Sequence, residues 1–401
     1  MVRYAAASVF GRWYTAPSPL FITSSVEKNT PASSLAEVIR QATRLRKLYL
    51  RMSYNTIQES FLEHFPPLAD AIAALPSLDD VFIYDANASA LQLLSCMKSH
   101  PRHHITLYHP QNIRGSGNGL PMNALDNTML SLLTFVDSLV TLSLDGHHIF
   151  SRTLKADSVW PALHELNLCS TTIDLTSIST ACPNLHTLHI DRCKLTNPHA
   201  SLHLPKLDFL EVDYSLPLST RVRRLYLVNS KANITSKIES MLQQANPVVL
   251  TCYLTMANTM AIAKVCPDLQ DLRVVVPQER GLVDVLKILC PLRETPIQSI
   301  MFQTGRLTTC TMEPFALQVA ALIPTVEYIG QGYVGGVYRC YLPLVVSIPW
   351  YQVVARPDGE LPKLRKLPFD EGDKIHQDLP EIRRYVIDWS GDPPHSIALP
   401  W

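Results

Sequence analysis

The sequence predicts an α/β protein in which short parallel strands form a sheet and helices pack on one side of it. Three observations support this prediction. An apolar motif of fixed spacing recurs along the 401 residues, helical stretches lie between its copies, and apolar residues make up 47% of the chain against 17% charged residues. A chain of this length and composition can bury a sizeable core, whereas a disordered chain cannot.

The repeated motif is a proline, one variable residue, and then apolar residues spaced three and two positions apart, as in "PNLHTLHI". Because neighbouring residues of a strand point to opposite faces, the apolar residues at the end of the motif enter one core. We expect each copy to form one short strand. Copies, some of them imperfect or without the proline, begin at Leu45, Pro76, Leu139, Pro161, Pro183, Pro205, Val222, Pro267, Ile297, Pro324, Pro362 and Pro380.

Helices are predicted between the strands. Ser34 and Glu37 are spaced as a capping box at the start of a helix, and Ser236 and Glu239 repeat that spacing. The recurrent proline disfavours helical backbone in the residue before it, so each helix should end before the next strand begins. The expected helices lie within 34–45, 236–244, 281–292 and 313–324.

These elements suggest a chain in three parts. Residues 1–44 are expected to form an N-terminal capping segment, 45–390 the irregular repeats, and 391–401 a C-terminal tail. Residues 109–121 are rich in glycine and are predicted to form a loop. A break into two domains within 103–125 stays open as an alternative.

Residues 182–195, "CPNLHTLHIDRCKL", resemble the consensus of a leucine-rich repeat. Cys193 stands at the Asn/Cys position of that consensus, and its apolar positions are taken by Leu185, Leu188, Ile190 and Leu195. The resemblance implies an irregular leucine-rich-repeat solenoid, or horseshoe, with a parallel sheet on the concave face and helices outside. It also implies that Cys193 bonds backbone groups in the turn after its strand.

The repeats also resemble the leucine-rich-repeat region of fungal F-box proteins, over roughly residues 12–390. Besides 182–195, this resemblance rests on "GRWYTAPSPLFITSSV" at 11–26, which is similar to the tryptophan and later Pro-Leu that often open that region. Such proteins are substrate receptors of cullin–RING ubiquitin ligases, in which the F-box holds the ligase adaptor and the repeats hold the target. No F-box motif occurs in this sequence, so a ligase adaptor is implied only if an F-box lies upstream.

Four possible zinc ligands lie close together in the sequence: Cys182, His186, His189 and Cys193. His189 lies between two inward residues of a predicted strand and therefore points to the opposite face, whereas a tetrahedral site needs ligands that converge. Cys182 belongs to the end of the preceding helix, as do Cys266 and Cys290. We interpret the cysteines as small core residues, and we expect no metal and no cofactor.

Residues Gly330 to Gly335 spell GxGxxG, the motif of a dinucleotide site. In such a site the glycines open a helix, but the β-branched and aromatic residues that follow reach Pro343 too soon for one. We therefore predict a glycine turn between strands, with a nucleotide-binding enzyme as the alternative.

Four histidines also lie close together in the sequence: His100, His103, His104 and His109. Because no cysteine or acidic residue lies between them, we interpret them as solvated loop residues and not as metal ligands. No catalytic motif is found, so no enzyme is predicted.

Charge and cysteine content restrict the partner and the compartment. Lys+Arg and Asp+Glu both number 35, and no basic run occurs, so neither nucleic acid nor a membrane is an expected partner. The nearly apolar stretch 342–355 is broken by prolines and is shorter than the roughly 20 residues of a membrane span. Cysteines without a CxxC pair favour a reducing compartment, the cytoplasm or the nucleus. Residues 1–26 contain arginine and no acid, which leaves mitochondrial import as a minor alternative.

The sequence therefore predicts a non-enzymatic protein-recognition scaffold, similar to the substrate-binding repeats of F-box receptors. A repeat scaffold with no ligase link is the alternative. The protein target is expected on the solvent-facing side of the sheet, where aromatic and arginine side chains are the usual anchors of an interface. The candidate residues are Tyr49, Phe82, Tyr84, Asn167, His189, Asp191, Glu211, Asp213, Arg224, Tyr226 and Arg273.

Overall fold

The computed structural model describes residues 20–23, 32–51, 66–84, 86, 88–99, 101–108, 132–145, 158–227, 236–276, 281–303, 309–332, 349–357, 360–368 and 370–372. The chain divides into two compact units, residues 1–206 and 207–401. The predicted loop at 109–121, the motif copy at Pro380, the tail at 391–401 and most of 11–26 lie outside the described residues. Within the described part, no helix combines the length and the hydrophobicity that crossing a bilayer requires.

The strands of the first unit are β1 (Leu20–Thr23), β2 (Lys47–Arg51), β3 (Asp80–Tyr84), β4 (His104–Tyr108), β5 (Thr141–Asp145), β6 (Glu165–Cys169), β7 (Thr172–Ile173), β8 (Thr187–Asp191) and β9 (Lys194–Leu195). β1 to β6 and then β8 pair in chain order, and every pair is parallel. β7 and β9 form a separate parallel pair. The predicted parallel sheet is confirmed here.

Helices lie between the strands of the first unit; the first contacts the second, and the second contacts the third. They are α1 (Ala32–Gln41), α2 (Pro66–Ala73), α3 (Ala88–Cys96) and α4 (Leu175–Ala181). The predicted first helix is confirmed as α1. Asp174 is the N-cap of α4, and its carboxylate accepts hydrogen bonds from the backbone N–H groups of Thr176 and Ser177 at 3.3 Å. Such a cap satisfies backbone donors that the helix itself leaves without partners.

The strands of the second unit are β10 (Phe209–Val212), β11 (Arg224–Leu227), β12 (Val249–Tyr253), β13 (Asp271–Val275), β14 (Ser299–Gln303), β15 (Tyr328–Gly332), β16 (Trp350–Ala355) and β17 (Lys363–Lys366). β10 to β15 pair in chain order and parallel. The helices are α5 (Ser236–Ala245), α6 (Met256–Val265), α7 (Leu282–Leu289) and α8 (Thr309–Leu322), with a 3₁₀ helix at Cys290–Glu294. The three helices predicted in this unit are confirmed as α5, α7 and α8.

The apolar positions of the repeated motif form the core. Leu185, Leu188 and Ile190 have no exposed surface, and Leu175 and Ile178 of α4 are equally buried. Burying one such side chain contributes about 1.5 to 3 kcal/mol, so these positions account for much of the driving force for folding. The chain is therefore an α/β protein with a mostly parallel sheet, as predicted at that level.

The C-terminal end of the sheet differs from the prediction of parallel strands throughout. β16 pairs antiparallel with β15, and β17 pairs antiparallel with β16. β16 ends at Ala355 and β17 begins at Lys363. A parallel connection needs a crossover of roughly a dozen residues or more, so this short connection permits only an antiparallel pair.

Candidate protein-binding face

In each unit, the side chains at alternate strand positions, between the buried leucines, form the second face of the parallel sheet. We call this face the polar face. In the first unit, the middle positions of the strands are in register across the sheet. This central row consists of Tyr49, Phe82, Thr106, Ser143, Asn167 and His189. The row thus brings four of the predicted binding residues together and changes from aromatic to polar along its length.

An aromatic cluster lies at the β2–β4 end of this face. The rings of Tyr49 and Phe82 are stacked, with their centroids 4.4 Å apart and their planes at 3°. The Tyr84 and Tyr108 rings have centroids 6.0 Å apart. All four side chains are half-buried, and we call them the aromatic cluster. Each of these rings contacts another ring of the cluster while part of its surface stays exposed.

A buried carboxylate lies beside the aromatic cluster. Asp80 is 7% exposed. Its Oδ2 lies 3.4 Å from the Lys47 Nζ, and its Oδ1 lies 3.5 Å from the His103 Nδ1. Burial, assisted by the charge of Asp80, raises the pKa of the Tyr49 hydroxyl, so that Tyr49 remains a neutral ring at physiological pH.

His104 belongs to this face and not to a solvated loop, which corrects the interpretation of the histidine cluster. It opens β4, and its ring centroid lies 4.8 Å from that of Phe82. Its Nε2 lies 2.7 Å from the Thr106 Oγ1. Burial, together with the nearby His103 and Lys47, lowers the pKa of His104 to about 4, so the ring is neutral at physiological pH. His103 is exposed, whereas His100 and His109 lie outside the described residues.

The last positions of the strands form a second row of the polar face, which we call the terminal row. It runs in register through Tyr84, Tyr108, Asp145, Cys169 and Asp191. The Cys169 thiol donates to the Asp191 Oδ2 at 3.3 Å, and Arg192 donates to the same oxygen at 3.1 Å. Burial raises the pKa of the Cys169 thiol, so it stays protonated and is no nucleophile at physiological pH.

Asn167 links the central row to its neighbours. Its Nδ2 donates to the Ser143 Oγ at 2.8 Å and to the Glu165 Oε1 at 3.1 Å. These bonds fix the amide on the sheet surface. The Asn167 side chain therefore has little conformational freedom.

The residues of the possible zinc site serve separate structural purposes. Cys182 caps the C-terminus of α4, where its N–H donates to the Ile178 carbonyl. The Cys193 Sγ donates to the Leu168 carbonyl in β6 at 3.4 Å. The His186 ring contacts the His164 ring edge-on at 5.2 Å, and His189 is 9% exposed on the polar face. Cys290 is exposed, so its interpretation as a core residue is wrong.

The two arginines predicted as interface anchors in the second unit are buried. Arg224 is 5% exposed, its Nε donates to the Asp208 Oδ2 at 2.8 Å, and its guanidinium lies 5.5 Å from the centre of the Phe209 ring. Arg273 is 2% exposed and pairs with Asp271 at 3.3 Å. Burial raises the pKa of Asp271, and the charge of Arg273 opposes that rise. These arginines support the sheet and present little surface to a partner.

The other predicted residues of the second unit are more accessible. Glu211 and Tyr226 are register partners on β10 and β11, and both are half-buried. Asp213 follows β10 and is also half-buried. This smaller group lacks the run of four aromatic side chains found in the first unit.

Gly330 and Gly332 lie inside β15, so the predicted glycine turn is wrong for this part of the motif. A Cβ on Gly330 would come within 2.8 Å of the Trp350 ring, and one on Gly332 within 2.4 Å of the Met301 side chain. Close packing against these side chains explains both glycines. They do not form the strand-to-helix turn that holds a pyrophosphate, and Gly335 lies outside the described residues.

Sequence reasoning missed several residues of the polar face, among them His104, Tyr108 and Asp145. The first two belong to β4, where Arg102 replaces the first apolar residue of the motif and hides the copy. A signal for Asp145 was present, because it follows its strand motif in the same way as Asp191 and Asp213 do.

In comparisons with known proteins, no protein-family model matches the chain, and no curated protein matches its sequence. Among the described residues, no group of three or more His, Cys, Asp or Glu side chains is arranged to hold a metal ion.

Proposed function

We propose that the protein is a non-enzymatic recognition scaffold that binds a protein target on the polar face of its first unit. The aromatic cluster carries this proposal: four ring side chains lie half-buried on a sheet face that the leucine core does not use. Tyrosine is among the residues enriched at interface hot spots, and rings already held by neighbours lose little entropy on binding.

We further propose that the repeats stack as a leucine-rich-repeat solenoid, a horseshoe with the polar face on its concave side. Three features support this. The strands follow one another in chain order, the motif leucines are buried on one face, and the Cys193 thiol bonds the Leu168 carbonyl in the neighbouring repeat. A repeat of this kind cannot bury its apolar face alone, so stacking is required for stability.

The proposed cellular role is substrate recognition, like that of the repeats of F-box receptors of cullin–RING ubiquitin ligases, in the cytoplasm or nucleus. A ligase adaptor is a partner only if an F-box accompanies the repeats. Affinity purification of the endogenous protein tests this part, because an adaptor and a cullin should be recovered with it. Recovery of the target without either would leave a recognition scaffold with no ligase link.

The scaffold proposal is tested by capture from extracts of the cells that express the protein. Wild-type protein is compared with the Tyr84→Ser, Tyr108→Ser double variant and with Val283→Ser on α7, whose side chain is 65% exposed. We expect one or a few proteins to be retained by the wild type and by Val283→Ser but lost from the double variant. Equal retention by all three proteins, or no specific retention by any, would contradict the proposal.

A further inference from the structure

We infer that the C-terminal segment of the chain, residues 373–401, lies across the polar face of the second unit and closes this face to other proteins. This inference does not depend on the proposed function, because the proposed target site is in the first unit. It makes the chain itself the occupant of a sheet face on which binding residues were predicted.

The polar face of the second unit is buried although it points away from the leucine core. Its central row includes Thr251, Arg273 and Met301, which are in register and are 4%, 2% and 2% exposed. The corresponding residues of the first unit, such as Phe82 and Ser143, are half-buried. Arginine is the longest of the three side chains, so its two neighbours in the row cannot cover it. A further layer of the chain must therefore lie above β13.

The described chain enters this layer near its C-terminal end. The Trp350 ring lies over Gly330 on the polar face and packs with Met301 and Leu367. Gly372 lies against the same tryptophan, because a Cβ on Gly372 would come within 2.7 Å of the indole ring. The residues that follow Gly372 therefore begin on the polar face.

The C-terminal segment is long enough to cover the buried row. β13 lies three strands from β16 in the sheet. Adjacent strands are about 4.8 Å apart, so the distance to cross is about 14 Å. An extended chain spans about 3.3 Å per residue, so a short part of the 29 residues after Gly372 suffices.

The charge of the segment suits a buried guanidinium. The Arg273 Nε lies 3.3 Å from the Asp271 Oδ2, but a guanidinium carries several N–H donors and, when buried, needs further acceptors or opposite charge. Residues 373–401 contain five acidic and three basic residues. The connection between β15 and β16, residues 333–348, contains one arginine and no acidic residue. Electrostatic complementarity therefore favours the C-terminal segment as the cover.

Photo-crosslinking of the purified full chain tests which segment is the cover. Benzoylphenylalanine replaces Tyr385 or Val386, which are adjacent and so present side chains in different directions. After irradiation, the crosslinked peptides are identified by mass spectrometry. We expect crosslinks within one chain to β12, β13 or β14 from at least one of the two positions. Benzoylphenylalanine at Val283, which is 65% exposed on α7, is the control and should give no crosslink to these strands.

Three results would overturn the inference. They are no crosslink to these strands from either position, crosslinks that join two copies of the chain, and crosslinks to these strands from Tyr341 in 333–348 with none from Tyr385 or Val386.

A second measurement follows the exposure of Arg273 in the full chain by phenylglyoxal modification. In the wild type, Arg273 should react at least about tenfold more slowly than the exposed Arg293. The Tyr385→Asp, Val386→Asp double variant should raise the rate at Arg273 about threefold or more, because the added charges weaken the contact of the segment with the sheet. Val283→Asp is the control and should leave the rate unchanged. An unchanged rate in the double variant, at an unchanged melting temperature, contradicts the inference.

Discussion

At the scale of single residues, the ion pair of Arg224 and Asp208 illustrates how charge is used inside the second unit. The Arg224 side chain is 6% exposed, and that of Asp208 is 31% exposed. The centre of the Phe209 ring lies 5.5 Å from the guanidinium carbon. A cation this deeply buried depends on its carboxylate, because the lost hydration of the guanidinium must be offset by a close partner.

Removing the carboxylate should therefore destabilise the fold. We expect Asp208→Ala to lower the free energy of unfolding by about 2 to 3 kcal/mol, because it leaves the Arg224 charge buried without that partner. The measurement is urea denaturation followed by circular dichroism. Arg223→Ala is the matched control, because Arg223 also pairs with Asp208, at 3.8 Å from its other oxygen, but is 49% exposed. An exposed ion pair contributes little, so Arg223→Ala should change the free energy of unfolding by no more than about 1 kcal/mol. Equal effects of the two substitutions would show that Arg224 does not depend on Asp208.

Prediction from sequence is weakest at this scale. The alternation of the motif correctly assigned Arg224, Arg273 and His189 to the polar face, but it could not show that they are buried. Their burial depends on neighbours such as Asp208 and Asp271, whose positions follow from strand register and from side-chain conformation. The stacked pair of Tyr49 and Phe82 likewise needs register between strands that are far apart in the sequence.

At the scale of elements, β15 and β16 depend on close packing. Trp350 of β16 is 1% exposed and packs with Met301 and Leu367, with Tyr328 against the same group. The ring lies over Gly330 of β15, so this strand position has room only for a hydrogen atom. Close packing of the Trp350 ring on Gly330 thus stabilises the antiparallel end of the sheet.

A side chain at Gly330 should disrupt this packing. We expect Gly330→Ser to lower the free energy of unfolding by about 1 to 3 kcal/mol, because its Cβ would lie 2.8 Å from the Trp350 ring. The measurement is urea denaturation followed by circular dichroism. Gly281→Ser is the control: it is the N-cap of α7, its Cβ would meet nothing closer than 3.7 Å, and serine is favoured at such a position. A fully stable Gly330→Ser variant would refute this packing.

Most elements could be predicted, and the exceptions have physical causes. Strands with the complete apolar spacing were recognised, whereas β4 and β12 were missed because Arg102 and Pro247 occupy the first apolar position of the motif. β17 was predicted as a strand, but its antiparallel direction depends on a short connection to β16, and β16 carries no motif. A motif defines which side chains enter the core, but it does not define the direction of a strand.

At the scale of the whole molecule, the same strand motif gives the two units polar faces that differ in side-chain type and in exposure. The polar face of the first unit carries half-buried aromatic rings and, farther along, carboxylates. In the second unit, Thr251, Asp271, Arg273 and Ser299 at equivalent strand positions are each no more than 4% exposed. The first unit is therefore the better candidate for the proposed binding surface, although the sequence alone suggested candidates in both.

The fold class was predictable at this scale because it follows from one repeated spacing. The residues of the polar face were predictable for the same reason, since alternation separates leucines from the residues between them. The identity of a target was not predictable, because the shape and charge of a surface depend on the combined positions of side chains that are far apart in the sequence, as Tyr49 and Phe82 are.

The central claim is that the polar face of the first unit contacts a protein, and site-specific photo-crosslinking tests it most directly. Benzoylphenylalanine replaces Phe82, which lies in the central row, or Val283, which is 65% exposed on α7, and the protein is irradiated in cells that express it. The account predicts a discrete crosslinked species from position 82 and none from position 283. No crosslinked protein from position 82, or the same species from both positions, would contradict it.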